Sequence, residues 1–240
     1  MIFENHPKIT QLSEKGGWLL LAHCVIIFTR EQRVKERSDI ILIGVYGGIA
    51  AGKSVLLEVM SEQGFLVLDG DRTFEYLMET PGSPIAAQMK AAICERFGPV
   101  YDADRPDPEK LGAQVREDLE ARRALAAITH RFTMAEMERR LTEYEAAGGD
   151  LAATDAPQTF RGRFSREMTC HVLVTAPFLD RVLRLSRREG LPVREAERRV
   201  GLIGEDADIL PRYILCNDAD RAEFRRKCAE FLEERRRCGW

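Results

Sequence analysis

The segment that most restricts the fold of this chain is the octapeptide GGIAAGKS at residues 47–54, which directly follows the apolar run ILIGVY at 41–46. It fits the pattern G-x-x-x-x-G-K-[ST], and an apolar strand leading into a helix is the context in which this pattern forms a phosphate-binding loop. The backbone N–H groups of such a loop, together with the positive end of the following helix, surround the phosphates of a nucleotide. We therefore expect a nucleotide-binding α/β domain.

Each position of this loop has an expected role. Lys53 is predicted to reach the β- and γ-phosphates, and the hydroxyl of Ser54 to be a magnesium ligand, so the expected ligands are ATP and Mg²⁺. A glycine turn with an unrelated lysine is the alternative, but the strand before the loop and the helical spacing of apolar residues after it argue against that interpretation. The residues predicted to contact the nucleotide here are Gly48, Ile49, Ala50, Ala51, Gly52, Lys53, Ser54 and Val55.

Short apolar runs recur along the chain and alternate with segments of helical periodicity. Further strands are predicted at 65–68, 151–154, 171–175 and 213–216. Alternating strands and helices indicate a parallel sheet covered by helices on both faces, with active groups at the carboxyl ends of the strands. The polar residues at or just beyond such ends are Asp69, Asp71, Asp155 and Asn217.

The stretch between Asp71 and Asp150 has no convincing strand. Its apolar residues recur at helical spacing instead, and prolines within 81–84 and 106–108 break it into pieces. We expect a helical insertion at about 73–149, in the place where kinases of this fold bind the phosphoryl acceptor. A purely structural helical cap is the alternative.

Arginines are concentrated in a later helical region at about 180–205, which is predicted to form a lid. Arg181, Arg184 and Arg188 share one helix face because they are spaced by three and four residues. Most of the cluster is expected to be solvated surface paired with glutamates, whereas one or two arginines of a lid would neutralise charge on the transferring phosphoryl group. We assign that role to Arg184 and Arg188, with Arg184 as a catalytic residue and Arg188 as a nucleotide contact.

The charge and the cysteine pattern limit the partners. A formal net charge of −3 gives no electrostatic reason to expect a nucleic acid or an acidic membrane surface. The six cysteines show no C-x-x-C spacing and form no zinc pattern with the four histidines, so reduced thiols in a cytoplasm are the simplest interpretation. The sequence does not indicate an oligomeric state.

The N-terminal residues 1–39 contain the apolar stretch WLLLAHCVIIF at 18–28. This stretch is shorter than the roughly 20 apolar residues that span a bilayer, and His23 interrupts it. A secretory signal is also not expected, because no small-residue cleavage site follows. We interpret residues 1–39 as an extension of unknown role, ending in a charged linker.

From about residue 41 to 232 the chain resembles the dephospho-coenzyme A kinases. The family motif T-G-G-I-G-S-G-K-S-T is similar to residues 46–55, and its D-A-D-R motif is similar to Asp69-Gly70-Asp71-Arg72. Four further motifs follow in the same order: E-P-G-S-P, R-F-G, I-x-H-P and D-x-P-L-L-F-E resemble residues 79–84, 96–98, 128–131 and 155–161. The late I-D-N motif resembles residues 215–217, so the domain would occupy residues 40–240.

This resemblance implies a P-loop kinase that phosphorylates the ribose 3′-hydroxyl of dephospho-coenzyme A, the last step of coenzyme A synthesis. It assigns Asp71 to the acceptor hydroxyl, as the group that orients it and accepts its proton. It also implies that Arg72, His130 and Pro157 line the acceptor site and that Asn217 begins the adenine-binding loop. The alternatives are a buried His130 that contacts no ligand, Asp69 and Asp71 that only cap the next helix, and an Asn217 that only forms a turn.

The chain departs from the family pattern at several positions. Val55 replaces the second hydroxyl of the phosphate loop, and Arg131 replaces the proline after the histidine. Gln158, Thr159 and Arg161 replace apolar and acidic residues of the acceptor site, so the ATP half of the site is better supported than the acceptor half. Two other functions stay open: a related P-loop kinase with another small-molecule acceptor, and a nucleotide-binding scaffold protein that has lost catalysis.

Overall fold

The computed structural model describes residues 40–155, 164, 168–202 and 210–240. The strands are β1 (Ile41–Tyr46), β2 (Leu66–Leu68), β3 (Tyr101–Asp102), β4 (Arg105–Pro106), β5 (Leu151–Asp155), β6 (Met168–Thr175) and β7 (Tyr213–Cys216). The helices are α1 (Lys53–Glu62), α2 (Gly70–Glu79), α3 (Pro84–Phe97), α4 (Pro108–Val115), α5 (Leu119–Ala146), α6 (Phe178–Glu189), α7 (Val193–Leu202) and α8 (Arg221–Cys238). The extension at 1–39 lies outside the described residues.

Five of these strands form one parallel sheet in the order β2-β5-β1-β6-β7. The central strand β1 is covered on both faces, which explains why its sequence is a continuous apolar run and not an alternating one. In the register of the sheet, Val45 pairs with Asp155 and Thr175 pairs with Cys216, so the carboxyl ends of the strands meet at one edge. The predicted α/β fold with a parallel sheet flanked by helices is confirmed.

The two faces of the sheet are covered by different parts of the chain. Helices α1 and α8 pack on one face, where their apolar side chains join those of β1, β6 and β7 in the largest core cluster. The other face is covered by the carboxyl-terminal half of α5, whose Met134, Met137 and Leu141 contact Leu42 and Ala152. The long helix therefore begins in the predicted insertion and ends as part of the sheet's own packing.

Helices α2, α3, α4 and the first half of α5 form the insertion around a separate apolar cluster that includes Leu77, Ile93 and Phe132. The expectation of a strand-free insertion is wrong in one detail, because β3 and β4 form a small antiparallel hairpin. Two-residue strands are too short to leave an alternating pattern in the sequence. The hairpin turn places Ala103 at a φ of 50°, and Lys90 donates a hydrogen bond to the Ala103 carbonyl.

Most helix starts in the domain are closed by a side chain that accepts from the first free backbone N–H groups. Asp69 caps α2 by accepting from the Arg72 N–H at 3.1 Å, which confirms its predicted capping role. The corresponding caps of α3, α4, α5 and α8 are Ser83, Asp107, Asp118 and Asp220. Helix α1 lacks such a cap, and this difference matters at the site.

Candidate active site

The loop between β1 and α1 is held close to its neighbours. Gly52, the residue before α1, has a φ of 115°, and a Cβ there would lie 2.4 Å from Nδ2 of Asn217. A Cβ on Gly48 would lie 2.0 Å from Nη2 of Arg181. Both positions therefore require glycine, since two buried side chains pack directly against the backbone of the loop.

The N-terminus of α1 is open. Gly52 supplies no side-chain cap, and the first turn contains no acidic residue. The free N–H groups and the dipole of a helix give its N-terminus a partial positive charge, which favours an anion at that end. The uncapped helix under a glycine-containing loop therefore has backbone groups that can bind a phosphate.

Lys53 and Ser54 occupy the first two positions of α1. The ammonium group of Lys53 donates to the Gly47 carbonyl at 3.0 Å, which folds this side chain back over the loop. The side chain of Ser54 is exposed at the open helix end, whereas Val55 is buried in the core cluster. The side chain of Val55 packs inward, so only its backbone faces the loop, and its N–H donates to the Gly52 carbonyl at 3.0 Å. Its contact with the nucleotide stays a prediction.

The arginine face of α6 is arranged differently from the prediction. Arg181, which was not selected as a functional residue, is buried and its Nε donates to the Ile49 carbonyl at 2.9 Å. Arg188, which was selected, is exposed and pairs with Glu189 at 2.7 Å. The first turn of α6 contacts the phosphate loop, because the helix begins just beyond the carboxyl end of β6. Arg188 lies two turns further along.

Arg184 contacts the segment that follows β7. Its Nη2 lies within hydrogen-bond distance of the Asn217 backbone oxygen, the Asn217 Oδ1 and the Ala219 carbonyl, at 3.2, 3.2 and 3.1 Å. Its Nη1 is buried and has no hydrogen-bond partner among the described residues. The guanidinium group of Arg184 is thus held in place through Nη2, while Nη1 can still donate a hydrogen bond.

Asn217 is the second buried side chain that contacts the loop. It is 5 % exposed, and its Nδ2 donates to the Ala51 carbonyl at 2.8 Å. Its backbone N–H donates to the Thr175 carbonyl at 2.7 Å, which continues the pairing of β7 with β6 past the end of the strand. The structure therefore brings Asn217, Arg181 and Arg184 together at the phosphate loop.

The remaining arginines of the region confirm the expectation of a solvated, ion-paired surface. Arg198 and Arg199 both bind Glu195, and Arg199 also reaches Glu189 at 3.0 Å. The two guanidinium groups hold the pKa of Glu195 at about 2, mainly through hydrogen bonds to its carboxylate. The two guanidinium groups are exposed on α7, and their partners are Glu195 on the same helix and Glu189 at the end of α6.

The residues predicted for the acceptor side are exposed. Asp71 and Arg72 lie in the first turn of α2, and the side chain of Arg72 is 73 % exposed. His130 is exposed on α5, so the alternative of a buried histidine is wrong. Pro157 lies outside the described residues, as do Gln158, Thr159 and Arg161.

Near His130, an open groove of about 550 Å³ lies between α3 and α5. Arg131 and Phe132 line it on the α5 side, with the Arg131 guanidinium 4.4 Å from the centre of the Phe132 ring. Ile85, Gln88 and Glu95 line the α3 side. The substitution of Arg131 for proline thus adds a stacked cation to the surface of the insertion.

The thiol and the carboxylate beside Asn217 have shifted pKa values. Burial and the negative charge of Asp218 raise the pKa of the Cys216 thiol. Asp218 is held below its usual pKa mainly by its hydrogen bond to Lys227, at 2.8 Å. Cys216 is consequently a neutral thiol at physiological pH and a weak nucleophile.

Two features are absent from the described residues. No helix there is long and apolar enough to cross a bilayer. No group of three or more His, Cys, Asp and Glu side chains in that part of the chain is placed to hold a metal ion. Magnesium in nucleotide sites is commonly held by one or two protein ligands and the substrate phosphates, so the exposed Ser54 hydroxyl at the open helix end fits such an ion.

The parallel sheet, the loop after its central strand and the uncapped helix that follows define a P-loop kinase fold. The family model for dephospho-CoA kinase matches residues 41–222. The chain belongs to the dephospho-CoA kinase family and is a phosphotransferase.

Similar proteins agree with this membership. A dephospho-CoA kinase of Corynebacterium glutamicum is 33% identical over 160 residues, which is 66% of this chain and 80% of the relative. That of Moorella thermoacetica is 32% identical over 173 residues, 71% of this chain and 80% of the relative. Among solved structures, TT1252 from Thermus thermophilus has a TM-score of 0.57 at 26% identity, covering 81% of this chain and 97% of its own. The dephospho-CoA kinase from Campylobacter jejuni has the same fold, with a TM-score of 0.50 at 18% identity over 82% of this chain and 98% of its own.

Proposed function

We propose that this protein transfers the γ-phosphoryl group of ATP to the ribose 3′-hydroxyl of dephospho-coenzyme A. The observation that carries the proposal is the open N-terminus of α1 beneath a loop bearing Lys53, with Asp71 presented at the same edge of the sheet. Family membership over residues 41–222 supports the choice of reaction.

ATP binding rests mainly on backbone. The N–H groups of the loop and of the first turn of α1 bind the phosphates, and the Lys53 ammonium exchanges the Gly47 carbonyl for the β- and γ-phosphates. Ser54 would hold Mg²⁺ through its hydroxyl, and the ion would neutralise charge on the phosphates. Arg184 directs its unused Nη1 toward the nucleotide, and Asn217 lies beside the same loop.

Chemistry at the acceptor falls on Asp71. Its carboxylate orients the 3′-hydroxyl and accepts its proton while the oxygen forms a bond to the γ-phosphorus. The bond between that phosphorus and the oxygen bridging to the β-phosphate breaks, and ADP leaves with the electron pair. Asp71 is exposed and close to its own helix start, so it is free to meet a bound substrate.

Acceptor recognition is assigned to the insertion, with contributions from Arg72, His130 and Pro157. We propose that the kinase domain begins near residue 40 and that the preceding extension is not part of the site. The protein acts on a small molecule, needs no nucleic acid or membrane, and works in the cytoplasm, where ATP is available. The exposed Arg131 favours one alternative, a related kinase whose acceptor carries more negative charge.

The test is a transfer assay with the purified full chain, Mg-ATP and a panel of dephospho-coenzyme A, adenosine, nucleoside monophosphates and pantetheine derivatives. Dephospho-coenzyme A should have the highest kcat/KM, with the new phosphate on the 3′-oxygen by phosphorus NMR. The Lys53→Ala variant, purified identically, shows whether any activity comes from a contaminating kinase. Faster transfer to another acceptor would replace the proposed substrate, and ATP binding without transfer to any would favour the scaffold function.

A further inference from the structure

Two buried side chains donate hydrogen bonds to backbone carbonyls of the phosphate loop. Arg181 comes from the first turn of α6 and donates to the Ile49 carbonyl, whereas Asn217 follows β7 and donates to the Ala51 carbonyl. Only 6 % of Arg181 and 5 % of Asn217 are exposed. The two acceptors are alternate carbonyls of the same loop, so the backbone between them is fixed at both ends.

The geometry of the peptide unit gives these contacts a consequence for phosphate binding. In a trans peptide the carbonyl and the following N–H point in opposite directions, and no cis peptide occurs among the described residues. A donor that holds the Ile49 carbonyl therefore also sets the direction of the Ala50 N–H. The donor on the Ala51 carbonyl does the same for the Gly52 N–H.

We infer that Arg181 and Asn217 are positioning residues that hold these two N–H groups toward the phosphates before the nucleotide arrives. A preset donor binds an anion without first losing conformational freedom, so each contact increases nucleotide affinity through the loop. Neither residue needs to touch the nucleotide for this effect.

The orientation of Asn217 is itself determined by Arg184. A guanidinium group only donates hydrogen bonds, so the amide oxygen of Asn217 must face Arg184 Nη2, which lies 3.2 Å away. The amide nitrogen is then left for the Ala51 carbonyl, as observed. Arg184 thus sets the direction in which Asn217 donates.

The close packing at glycines supports the same inference. The Arg181 guanidinium lies where a side chain on Gly48 would be, and the Asn217 amide lies where one on Gly52 would be. The loop and the two side chains therefore fit together without free space, and a shift of either side chain would move the loop backbone.

This inference rests on the proposed nucleotide site but not on the identity of the acceptor, so the test uses binding alone. The dissociation constants of Mg-ADP and of a non-hydrolysable ATP analogue are measured by calorimetry for the full chain and its variants. A loop effect weakens both ligands equally, because the preset N–H groups bind phosphates that both share. A direct contact with the γ-phosphate would weaken the ATP analogue alone.

Arg181→Met, which removes the donor but keeps an extended side chain, should weaken both ligands by about tenfold, the effect expected for losing one such hydrogen bond. Arg181→Lys keeps one donor and should recover most of that loss. Asn217→Ala should resemble Arg181→Met. The matched control is Arg198→Met, on an exposed arginine paired with Glu195, which should stay within about twofold.

Unchanged ADP affinity in Arg181→Met, whatever its thermal stability, would overturn the inference, and so would a loss confined to the ATP analogue. If Arg181→Met does not fold, Arg181→Lys decides alone: an equal loss of about two- to fivefold for both ligands supports the inference, and no loss or an analogue-only loss overturns it. Wild-type protein that binds no ADP would contradict the nucleotide site and the inference together. Failure of the acceptor panel leaves this result unaffected.

Discussion

The phosphate side and the acceptor side of the site differ in what they are made of. The phosphate side is a stretch of backbone between buried elements, with Arg181 and Asn217 packed against it. The proposed acceptor side presents exposed side chains on helices of the insertion, among them Asp71, Arg72 and His130. The phosphate half is held by the core of the protein, whereas the proposed acceptor half lies on an exposed helix surface.

This difference indicates where substitutions are tolerated. A change in the phosphate loop disturbs packing against β6, α6 and the segment after β7, so few residue types fit there. A change on the acceptor surface, such as Arg131, is accommodated by solvent and by a neighbouring ring. The chain accordingly keeps the complete G-x-x-x-x-G-K-S pattern while its predicted acceptor positions depart from the family.

The largest expected effect tests the phosphate side directly. Lys53→Ala should lower kcat by about a thousandfold, because it removes a positive charge from the transferring phosphoryl group. The fold should persist, since the side chain makes its hydrogen bond within the loop and contributes nothing to the core. Steady-state kinetics and circular dichroism are the measurements, with Lys110→Ala as the control on a surface lysine paired with Asp107. Near-wild-type turnover would contradict the loop assignment.

The second prediction tests the acceptor side. Asp71→Asn should lower kcat by about a hundredfold with little change in the KM for ATP, because the carboxylate acts on the acceptor hydroxyl. Asp69→Asn is the matched control, since asparagine also caps a helix and the cap on α2 is retained. A collapse of ATP affinity with unchanged kcat would instead place Asp71 in the metal site.

The third prediction compares two arginines of one helix face. Arg184→Ala should lower kcat/KM by at least about tenfold, because it removes a charged group that holds Asn217 and is adjacent to the nucleotide. Arg188→Ala should stay within about twofold, since its guanidinium is exposed and paired with Glu189. Equally small effects of the two substitutions would show that the face acts as ordinary surface.

The fourth prediction concerns the stability of the helix that supports the acceptor side. Glu136 is buried and binds both Arg139 and Arg140, at 2.9 and 2.8 Å. Glu136→Gln should lower the free energy of unfolding by about 2 kcal/mol at pH 7, because it leaves these charge-assisted bonds incomplete. Glu143→Gln, on an exposed partner of Arg139, should cost less than about 0.5 kcal/mol.

The same pair has a defined pH dependence. Hydrogen bonds from Arg139 lower the pKa of Glu136, so its stabilising effect is present above the unfolded-state pKa and is lost as the pH falls through the lower folded-state value. The stability difference between wild type and Glu136→Gln should therefore shrink as the pH falls below about 4. Urea unfolding at several pH values measures it, and a difference that grows in acid would contradict the assignment.

The smallest effect is expected from removing residues 1–38. The family match begins at residue 41, and β1 begins at Ile41, so phosphoryl transfer should stay within about threefold of the full chain. Kinetics of the truncated protein with dephospho-coenzyme A measure this. A truncated protein that binds ATP but transfers nothing would show that the extension belongs to the site.

Much of the fold could be predicted because the relevant signals are local. The strand predictions at 41–46 and 213–216 match the structure, since each is a short apolar run between polar turns. Strand β6 begins at Met168, earlier than the predicted 171, because exposed Thr169 interrupts the apolar pattern. The packing of Met134, Met137 and Leu141 on the sheet could not be predicted, because helical periodicity shows an apolar face but not what covers it.

For the site as well, features with a local sequence signal could be predicted and features that depend on packing could not. The loop is specified by a contiguous motif, so the sequence was sufficient to predict a glycine-containing loop between a strand and a helix. Arg181 was missed because helical spacing places Arg181, Arg184 and Arg188 on one face without indicating which turn meets the loop. The available signal was its position in the first turn after β6, the strand next to β1, where a helix begins beside the loop. Val55 was assigned to the nucleotide from its place in the motif, although its apolar side chain packs into the core.

Helix α5 connects the insertion to the sheet as one continuous helix. It contains 28 residues, so it is about 42 Å long, and its two halves pack in different apolar clusters. The N-terminal half of α5 cannot move relative to the sheet while its C-terminal half keeps its packing there. Any closing of the insertion over a substrate must therefore either rotate α5 about the Met134–Leu141 contact or bend it between the two clusters. If the helix rotates, a probe on the back of the sheet, remote from both substrates, should register the arrival of the acceptor; if the helix bends, that probe should not change.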